Sequence, residues 1–262
     1  MRDYGFPKLS AGVGNRRLHE CEVDRTIIVQ DVEEVAMVFH GVFHVLSARL
    51  HYAKCPRRVV RGEKPPFRAL HAPGGQENNC IASHSIVSCG IVCVDPHNQG
   101  SGPLYANQSI IMDIFPRDSE TRYFADISRT VVRGKASPKL KKMYAAVIEG
   151  QNIGFRSIKE GANAGLIHQE IQKYFETLGF KTGVQNGRMQ GFFHGTGHGL
   201  GLDIHEAPRV GGVGDILKAG QVVTVEPGLY YEDAGGVRIE DDVVVTKTGC
   251  INLVKLPKFL EI

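Results

Sequence analysis

A run of histidines and glycines between His194 and Pro208 contains the residues of this chain best suited to chemistry. It reads HGTGHGLGLDIHEAP and places His194, His198 and His205 among interleaved glycines. Imidazole binds metal or carries protons near neutral pH, and glycine lets the backbone approach a ligand closely. The same run also fits a plain loop whose histidines bond only to backbone. The position of the acidic residues decides between these two interpretations.

Four acidic residues interrupt apolar segments that are typical of β-strands. Asp113 and Asp126 belong to a first hairpin-like pair, and Glu226 and Glu240 to a second. The four segments are Ser109–Phe115, Tyr123–Val132, Gln221–Tyr231 and Gly236–Thr246. Carboxylates are rarely buried unless they are paired or bind a metal. The same arrangement therefore occurs twice, which indicates two related halves.

Together with His198, these four acids form a donor set suited to metal ions. Carboxylates gathered without cations repel one another and retain protons. An oxygen-rich set with one imidazole and no thiolate suits Mn²⁺, Co²⁺ or Fe²⁺ at least as well as Zn²⁺, and we expect Mn²⁺ first. Two such ions about 3.5–4 Å apart acidify water and bind the oxygens of a hydrolytic transition state.

Helices with one apolar side are expected to support these strands. The stretches with helical spacing are Asp31–Leu50, Lys139–Ile158 and Asn163–Leu178. Pro138 lies near the start of the second, and Gly179 stands where a glycine commonly ends a helix. The third stretch has its apolar stripe at Leu166, Ile167, Ile171, Phe175 and Leu178. We interpret these stripes as core positions.

The remaining segments carry weaker patterns. Residues 1–24 are predicted to form an N-terminal arm, and 25–262 a single catalytic domain. The basic, proline-rich segment 54–79 is predicted to be a solvated loop, because aromatic residues do not interleave with its charges as they would on a nucleic-acid surface. His97 lies in a turn-rich loop, where it could face a ligand or simply face solvent.

Composition excludes several classes of function. The chain has 262 residues, of which 42% are hydrophobic and 23% charged, and a formal net charge of +3. This charge is too small to indicate nucleic-acid binding, and no apolar run reaches the length of a membrane span. The six cysteines are scattered without paired motifs, which favours free thiols in a reducing compartment. We therefore expect a cytoplasmic protein with no nucleic-acid or membrane partner.

Two other enzyme classes fit the sequence poorly. The glycines of GTGHGLG could suggest a phosphate-binding loop, but their spacing matches neither common phosphate motif and no lysine follows to contact a phosphate. A serine hydrolase of the α/β type is disfavoured because no GxSxG motif is present.

Five motifs, in this order, resemble the pita-bread metallopeptidase family, which includes methionine aminopeptidases, Xaa-Pro aminopeptidases and prolidases. They are MDIF, YFADISRT, HGTGHGLGLDIHEAP, TVEPGLYY and GGVRIEDDVVVT, within about residues 85–250. The resemblance implies an α+β fold with two pseudo-symmetric halves, in which helices cover a curved, mainly antiparallel sheet. It also implies a dinuclear metal-dependent peptidase that hydrolyses an N-terminal peptide bond.

The same resemblance assigns roles to individual residues. The implied metal ligands are Asp113, Asp126, His198, Glu226 and Glu240, with Asp126 and Glu240 bridging. Glu226 would also transfer protons. The other implied catalytic residues are His205, which would steady the tetrahedral intermediate, and His194. The implied substrate-binding residues are His97, His194 and Arg238.

Within the family, three details are similar to the Xaa-Pro peptidase branch. They are the position of His194, the sequence EPGLYY after Glu226, and Arg238. A methionine aminopeptidase activity is the alternative, and a third interpretation is a pita-bread protein that only binds peptides or partners. Such binding proteins typically lose metal ligands, whereas all five are present here. The expected partners are a peptide substrate and a second copy of the chain in a homodimer.

Overall fold

The computed structural model describes residues 80–81, 85–212 and 214–262. The predicted helix Asp31–Leu50, the predicted arm 1–24 and the predicted loop 54–79 lie outside this part of the chain. The assignment of 25–262 to one catalytic domain therefore stays a prediction.

Short β-strands make up most of the regular structure of the described residues. In chain order, they are β1 (Cys80–Ile81), β2 (Ser85–Cys89), β3 (Ser109–Ile114), β4 (Arg117–Asp118), β5 (Ile127–Val132), β6 (Gly183–Gln185), β7 (Arg188–Gln190), β8 (Gly197–Gly199), β9 (Glu206–Val210), β10 (Val222–Val225), β11 (Gly228–Tyr231), β12 (Gly235–Arg238), β13 (Asp241–Val245) and β14 (Cys250–Asn252). The apolar run after β2 forms a short 3₁₀ helix, Gly90–Val94.

Two α-helices lie between β5 and β6, as the sequence predicts. Helix α1 spans Pro138–Ser157, and the Ser137 hydroxyl accepts the amide hydrogen of Leu140 at its N-terminus. Helix α2 spans Ala164–Thr177, and the Asn163 side chain accepts the amides of the first turn. Gly179 adopts a φ of +85° just after α2, a conformation that favours glycine.

The predicted apolar stripe of α2 is correct at its centre and wrong at its ends. Ile167, Ile171 and Phe175 are buried in the main core, whereas Leu166 and Leu178 are 62% and 50% exposed. One helical residue turns through about 100°, so Leu166 falls beside the buried face rather than on it. Leu178 lies after the last helical residue, so the helical spacing no longer directs it to the buried face.

The first predicted hairpin is an uninterrupted antiparallel ladder. Strand β3 pairs with β5 along six residues, placing Asp113 opposite Ser128, and β2 adds a third strand. Asp126 immediately precedes β5, and its backbone N–H donates to the Asp242 carboxylate at 2.9 Å. This sheet therefore presents two of the four acids at one end.

The second predicted hairpin is paired as expected, but it is broken at both of its acids. Strand β10 pairs with β13, and β11 pairs with β12 in a separate sheet. The breaks fall at Glu226 and Glu240, whose backbone N–H groups donate to Thr196 and Ser128 at 2.7 and 3.1 Å. Pro227 follows Glu226 and has no N–H to continue the ladder.

The larger sheet lies against helix α1. Its strand order is β14-β13-β10-β8-β9, and every pairing between named strands is antiparallel. Gly154 of α1 allows a close approach, because a Cβ there would lie 2.8 Å from the Val225 side chain. None of the described helices is long and apolar enough to span a membrane.

Candidate metal centre

The structure brings together the acids and the histidine that the sequence separates by more than a hundred positions. Ligand atoms of Asp126, His198 and Glu240 all lie within 4.8 Å of one another. His198 Nε2 lies 3.8 Å from Asp126 Oδ2 and 3.4 Å from Glu226 Oε1. Burial raises the pKa of Glu226, and the charge of nearby Asp113 raises it further. All five predicted ligands therefore converge.

The ring of His198 is oriented as a metal ligand would be. Its Nδ1 donates to the carbonyl of Gly199 at 3.1 Å, so its Nε2 carries a lone pair towards the carboxylates. Burial, together with the charge of His205, lowers the pKa of His198 to about 4. The imidazole is therefore neutral at pH 7. A lone pair facing carboxylate oxygens is unfavourable unless a proton or a metal cation lies between them.

A hydrogen bond and close strand packing hold the backbone of His198 in position. The Thr224 hydroxyl accepts the His198 amide hydrogen at 3.1 Å and lies 3.5 Å from Glu226 Oε1. Gly197 lets β8 approach β10 closely, since a Cβ at this position would overlap the Thr224 carbonyl. The glycines in this part of the motif therefore serve packing rather than phosphate binding.

Burial strongly disfavours the charged forms of the acids. It raises the pKa of Glu226 to about 8 despite the nearby Arg238 charge. Burial also raises the pKa of Asp126 and Glu240 well above their usual range, and each is raised further by neighbouring carboxylates. These acids would retain protons at neutral pH unless cations compensate their charges.

Two of the predicted ligands each have a carboxylate oxygen with no hydrogen-bond partner in the described part of the chain. These buried atoms are Asp113 Oδ1 and Asp126 Oδ1. Buried polar atoms are normally satisfied. Unsatisfied carboxylate oxygens beside the free lone pair of His198 fit a divalent cation site. The donor set therefore agrees with the metal centre that the sequence predicts.

Arg238 is buried beside Asp113. Its Nη2 donates to Asp113 Oδ2 at 2.6 Å, and its Nε donates to the Ser128 hydroxyl at 2.9 Å. Its Nη1 donates to the Tyr230 hydroxyl and the Pro96 carbonyl. These contacts hold Asp113 in place. The contact between Arg238 and substrate stays a prediction.

The three other predicted site histidines lie close together at this centre. The ring centroids of His205 and His198 are 4.3 Å apart. His194 Nδ1 donates to the Gly195 carbonyl at 2.7 Å, and its Nε2 lies 2.8 Å from the Tyr230 hydroxyl. His97 is exposed, and its charge contributes, after burial, to the lowered pKa of both His194 and His205.

Sequence analysis did not single out two charged residues that the structure places here. Asp242 is fully buried, and its Oδ1 has no partner among the described residues. It follows Glu240 by two positions, and this strand periodicity could have revealed that both face the site. Arg209 is exposed, and its charge helps to lower the pKa of His205, after burial and His97. No sequence pattern pointed to Arg209.

Comparisons with known proteins agree with this geometry. The Xaa-Pro dipeptidase of Pyrococcus horikoshii is 37% identical over 244 residues, which cover 92% of this chain and 60% of that protein. The crystal structure of a dipeptidase from the same organism matches with a TM-score of 0.75 and 29% identity, over 89% of this chain and 63% of that one. An X-Pro aminopeptidase from Thermotoga maritima matches with a TM-score of 0.72 and 26% identity, over 90% and 65%.

These solved peptidases have the pita-bread fold, which confirms the predicted fold class. The chain spans 47%, 60% and 61% of the lengths of three curated relatives. The family description "Metallopeptidase family M24" matches residues 47–247, which is more than half of the chain. The chain therefore belongs to metallopeptidase family M24.

Proposed function

We propose that this protein is a dinuclear metal-dependent exopeptidase that hydrolyses the bond between an N-terminal residue and a following proline. The observation that carries the proposal is the His198 lone pair, which faces carboxylate oxygens 3.4 and 3.8 Å away. The proposed ligands are Asp113, Asp126, His198, Glu226 and Glu240. The proline preference is supported by the relatives named Xaa-Pro dipeptidase.

Two divalent ions at these ligands would polarise the scissile carbonyl and acidify water. We propose Mn²⁺, because the donor set is rich in oxygen and has one imidazole. Glu226 is the proposed proton carrier. Its carboxylate lies 3.4 Å from His198 Nε2, among the proposed ligands, where it can take a proton from water and pass it on. Water would give its proton to Glu226, and the departing amine would receive it.

The histidines are proposed to stabilise charge and to orient the substrate. Burial lowers the pKa of His205, so its neutral ring can donate one hydrogen bond to an oxyanion as that charge develops. The Nε2 of His194 accepts from the Tyr230 hydroxyl, which keeps this ring in one orientation beside the centre. His97 is exposed and is proposed to contact the peptide together with Arg238.

A short substrate is supported by the charge at the edge of the centre. Arg209 lies opposite His198 in the β8–β9 pairing and is exposed near His205. The described residues provide no ion-pair partner within 4 Å of its guanidinium. The free C-terminal carboxylate of a dipeptide would supply one. A dipeptidase is therefore the preferred form of the proposal.

Substrate and metal together test this function. The protein would be dialysed against a chelator, reloaded with Mn²⁺ or Co²⁺, and assayed with an Xaa-Pro dipeptide, an Xaa-Pro tripeptide and a Met-Ala peptide. We expect metal-dependent turnover that is fastest with the dipeptide. Turnover of the Met-Ala peptide alone would indicate a methionine aminopeptidase. Absence of both metal binding and turnover would indicate a binding protein.

Substitution of Glu226 tests the proton-transfer role. Glu226→Gln is expected to preserve the fold and lower kcat by about 10²- to 10⁴-fold, because it removes the proton carrier and a ligand charge. Circular dichroism and steady-state kinetics with saturating Mn²⁺ would measure the two effects. A near-normal rate would show that another group transfers the proton. Exposed Glu176→Gln is the matched control.

Two further properties belong to the same proposal. A cytoplasmic location is supported by the four described cysteines, all of which are free thiols. Fractionation of cells that express the protein would test this location. A homodimer remains a prediction of the sequence resemblance, and light scattering of the metal-loaded protein would measure it.

A further inference from the structure

His168 has a contact with the histidine-rich motif that the proposed chemistry does not use. It lies on helix α2, half-buried, and its Nδ1 shares a hydrogen bond of 3.0 Å with the Thr196 hydroxyl. Its ring also packs against Phe192, with centroids 4.9 Å apart. The Phe192 ring in turn contacts His194 at 5.4 Å. His168 therefore contacts the motif segment directly at Thr196 and reaches His194 indirectly through Phe192.

Thr196 occupies the central position of that segment. It lies two residues after His194 and two residues before His198, and its side chain is fully buried. Its backbone N–H donates to the Val210 carbonyl at 2.7 Å, and its carbonyl accepts from the Glu226 N–H at 2.7 Å. The position of Thr196 is therefore coupled to two proposed metal ligands, to Glu226 through this backbone bond and to His198 through the chain.

The residues beside Thr196 cannot provide the same restraint. Gly195 and Gly197 flank it and have no side chains, so Thr196 is the only residue of this three-residue stretch that a side-chain contact can hold. Backbone bonds to Val210 and Glu226 restrain the stretch from the sheet side. The His168 bond restrains it from the helix side.

We infer that His168 is a positioning residue: through the Thr196 hydroxyl it holds the stretch between His194 and His198 in the geometry required for metal binding and turnover. The inference rests on the proposed function for its kinetic consequence. Residues that orient ligands from outside the ligand set commonly change metal affinity or activity by about 10- to 100-fold when they are removed. A ligand displaced by even about 1 Å can have a comparable effect on rate.

Four variants separate this role from simple packing. His168→Leu removes the ring nitrogens and keeps an apolar side chain, and Thr196→Val removes the hydroxyl with little change of shape. His168→Asn places an amide atom where Nδ1 lies, so it can restore the bond to Thr196. The double variant His168→Leu/Thr196→Val tests coupling. Gln169→Leu, exposed on the same helix, is the control for changes to α2.

The measurements are Mn²⁺ affinity, kcat and KM on an Xaa-Pro dipeptide, and Tm of the metal-free protein. We expect each single removal to weaken Mn²⁺ binding and lower kcat by about 10-fold or more, with KM within about twofold of wild type. The double variant should lose no more than the single variants, and His168→Asn should recover most of the loss. Gln169→Leu should behave as wild type.

Other outcomes would overturn the inference. Wild-type kcat and Mn²⁺ affinity in His168→Leu would show that the contact has no positioning role. Losses that multiply in the double variant, or a failure of His168→Asn to recover activity while Tm is normal, would show that His168 acts independently of Thr196. If the wild-type protein hydrolyses no peptide, the proposed function fails, and the comparison of Mn²⁺ affinities still decides the role of His168.

Discussion

Asp241, the first residue of strand β13, and Glu240, just before it, are neighbouring acids in opposite environments. Asp241 accepts from Arg129 Nη2 at 2.7 Å, from Lys258 Nζ at 2.5 Å and from Asn252 at 2.9 Å. Glu240, one residue earlier, has the Ser128 hydroxyl as its side-chain partner at 2.8 Å. Successive residues of a strand point to opposite faces. The carboxylate on one face is therefore neutralised by neighbouring cations, whereas the carboxylate on the other face has only a hydroxyl partner.

This difference distinguishes a structural acid from a functional one. The cations around Asp241 come from β5 and the C-terminal segment, so its charge is neutralised by the fold itself. On the opposite face, burial raises the pKa of both Glu240 and Asp242 well above their usual range, and neighbouring acids raise it further. The acids of that face would retain protons at neutral pH unless cations from outside the chain compensate their charges.

The largest expected effect is on the uncompensated face. Glu240→Gln should lower turnover by at least about 100-fold and weaken Mn²⁺ binding, because the charge of a proposed metal ligand is lost. The metal-free fold should be retained, since glutamine resembles a protonated glutamate in shape. Metal analysis, kinetics and a melting curve would measure these effects. Loss of folding without loss of metal affinity would reverse the assignment of the two faces.

Asp241→Asn should show the opposite behaviour. Removing this charge leaves the buried Arg129 guanidinium uncompensated, and we expect the free energy of unfolding to fall by about 3 kcal/mol. Urea denaturation would measure the change. Asp233→Asn is the control, because the Lys139–Asp233 pair is exposed and should contribute less than about 1 kcal/mol. Equal losses in the two variants would contradict a structural role specific to Asp241.

The expected effect farthest from turnover is a pH dependence of the stability of the metal-free protein. The pKa of Glu226 is about 8 in the fold, because burial raises it from an ordinary value of 4.5. The folded state therefore binds this proton more tightly, and its contribution to stability is lost as pH rises from about 4.5 through about 8.

Glu226→Gln removes this titration, so it should be more stable than wild type at pH 8 in EDTA, by on the order of a few kcal/mol, and similar to wild type at pH 4.5. Unfolding by urea at the two pH values would measure the difference. A variant less stable than wild type at pH 8 would show that the carboxylate is compensated without metal.

Several features of the fold and the site could be predicted from local patterns. Helix α2 was predicted from its spacing to within a residue, because Asn163 and Gly179 provide local start and stop signals. The first hairpin followed from two short β-rich apolar runs joined by a polar stretch, and each run contains one of the acids. The second hairpin was predicted without its breaks at Glu226 and Glu240, because those N–H groups bond to Thr196 and Ser128, which are distant in sequence.

The sequence by itself determined which residues could bind metal, since the histidine, the acids and their motifs are chemical properties of the chain. Only the tertiary structure decided that His198 presents Nε2 to the acids, that Asp242 joins their face, and that Asp241 turns away to Arg129 and Lys258. The physical reason is that charge compensation depends on distance and burial. Both arise from contacts between segments that local sequence does not specify.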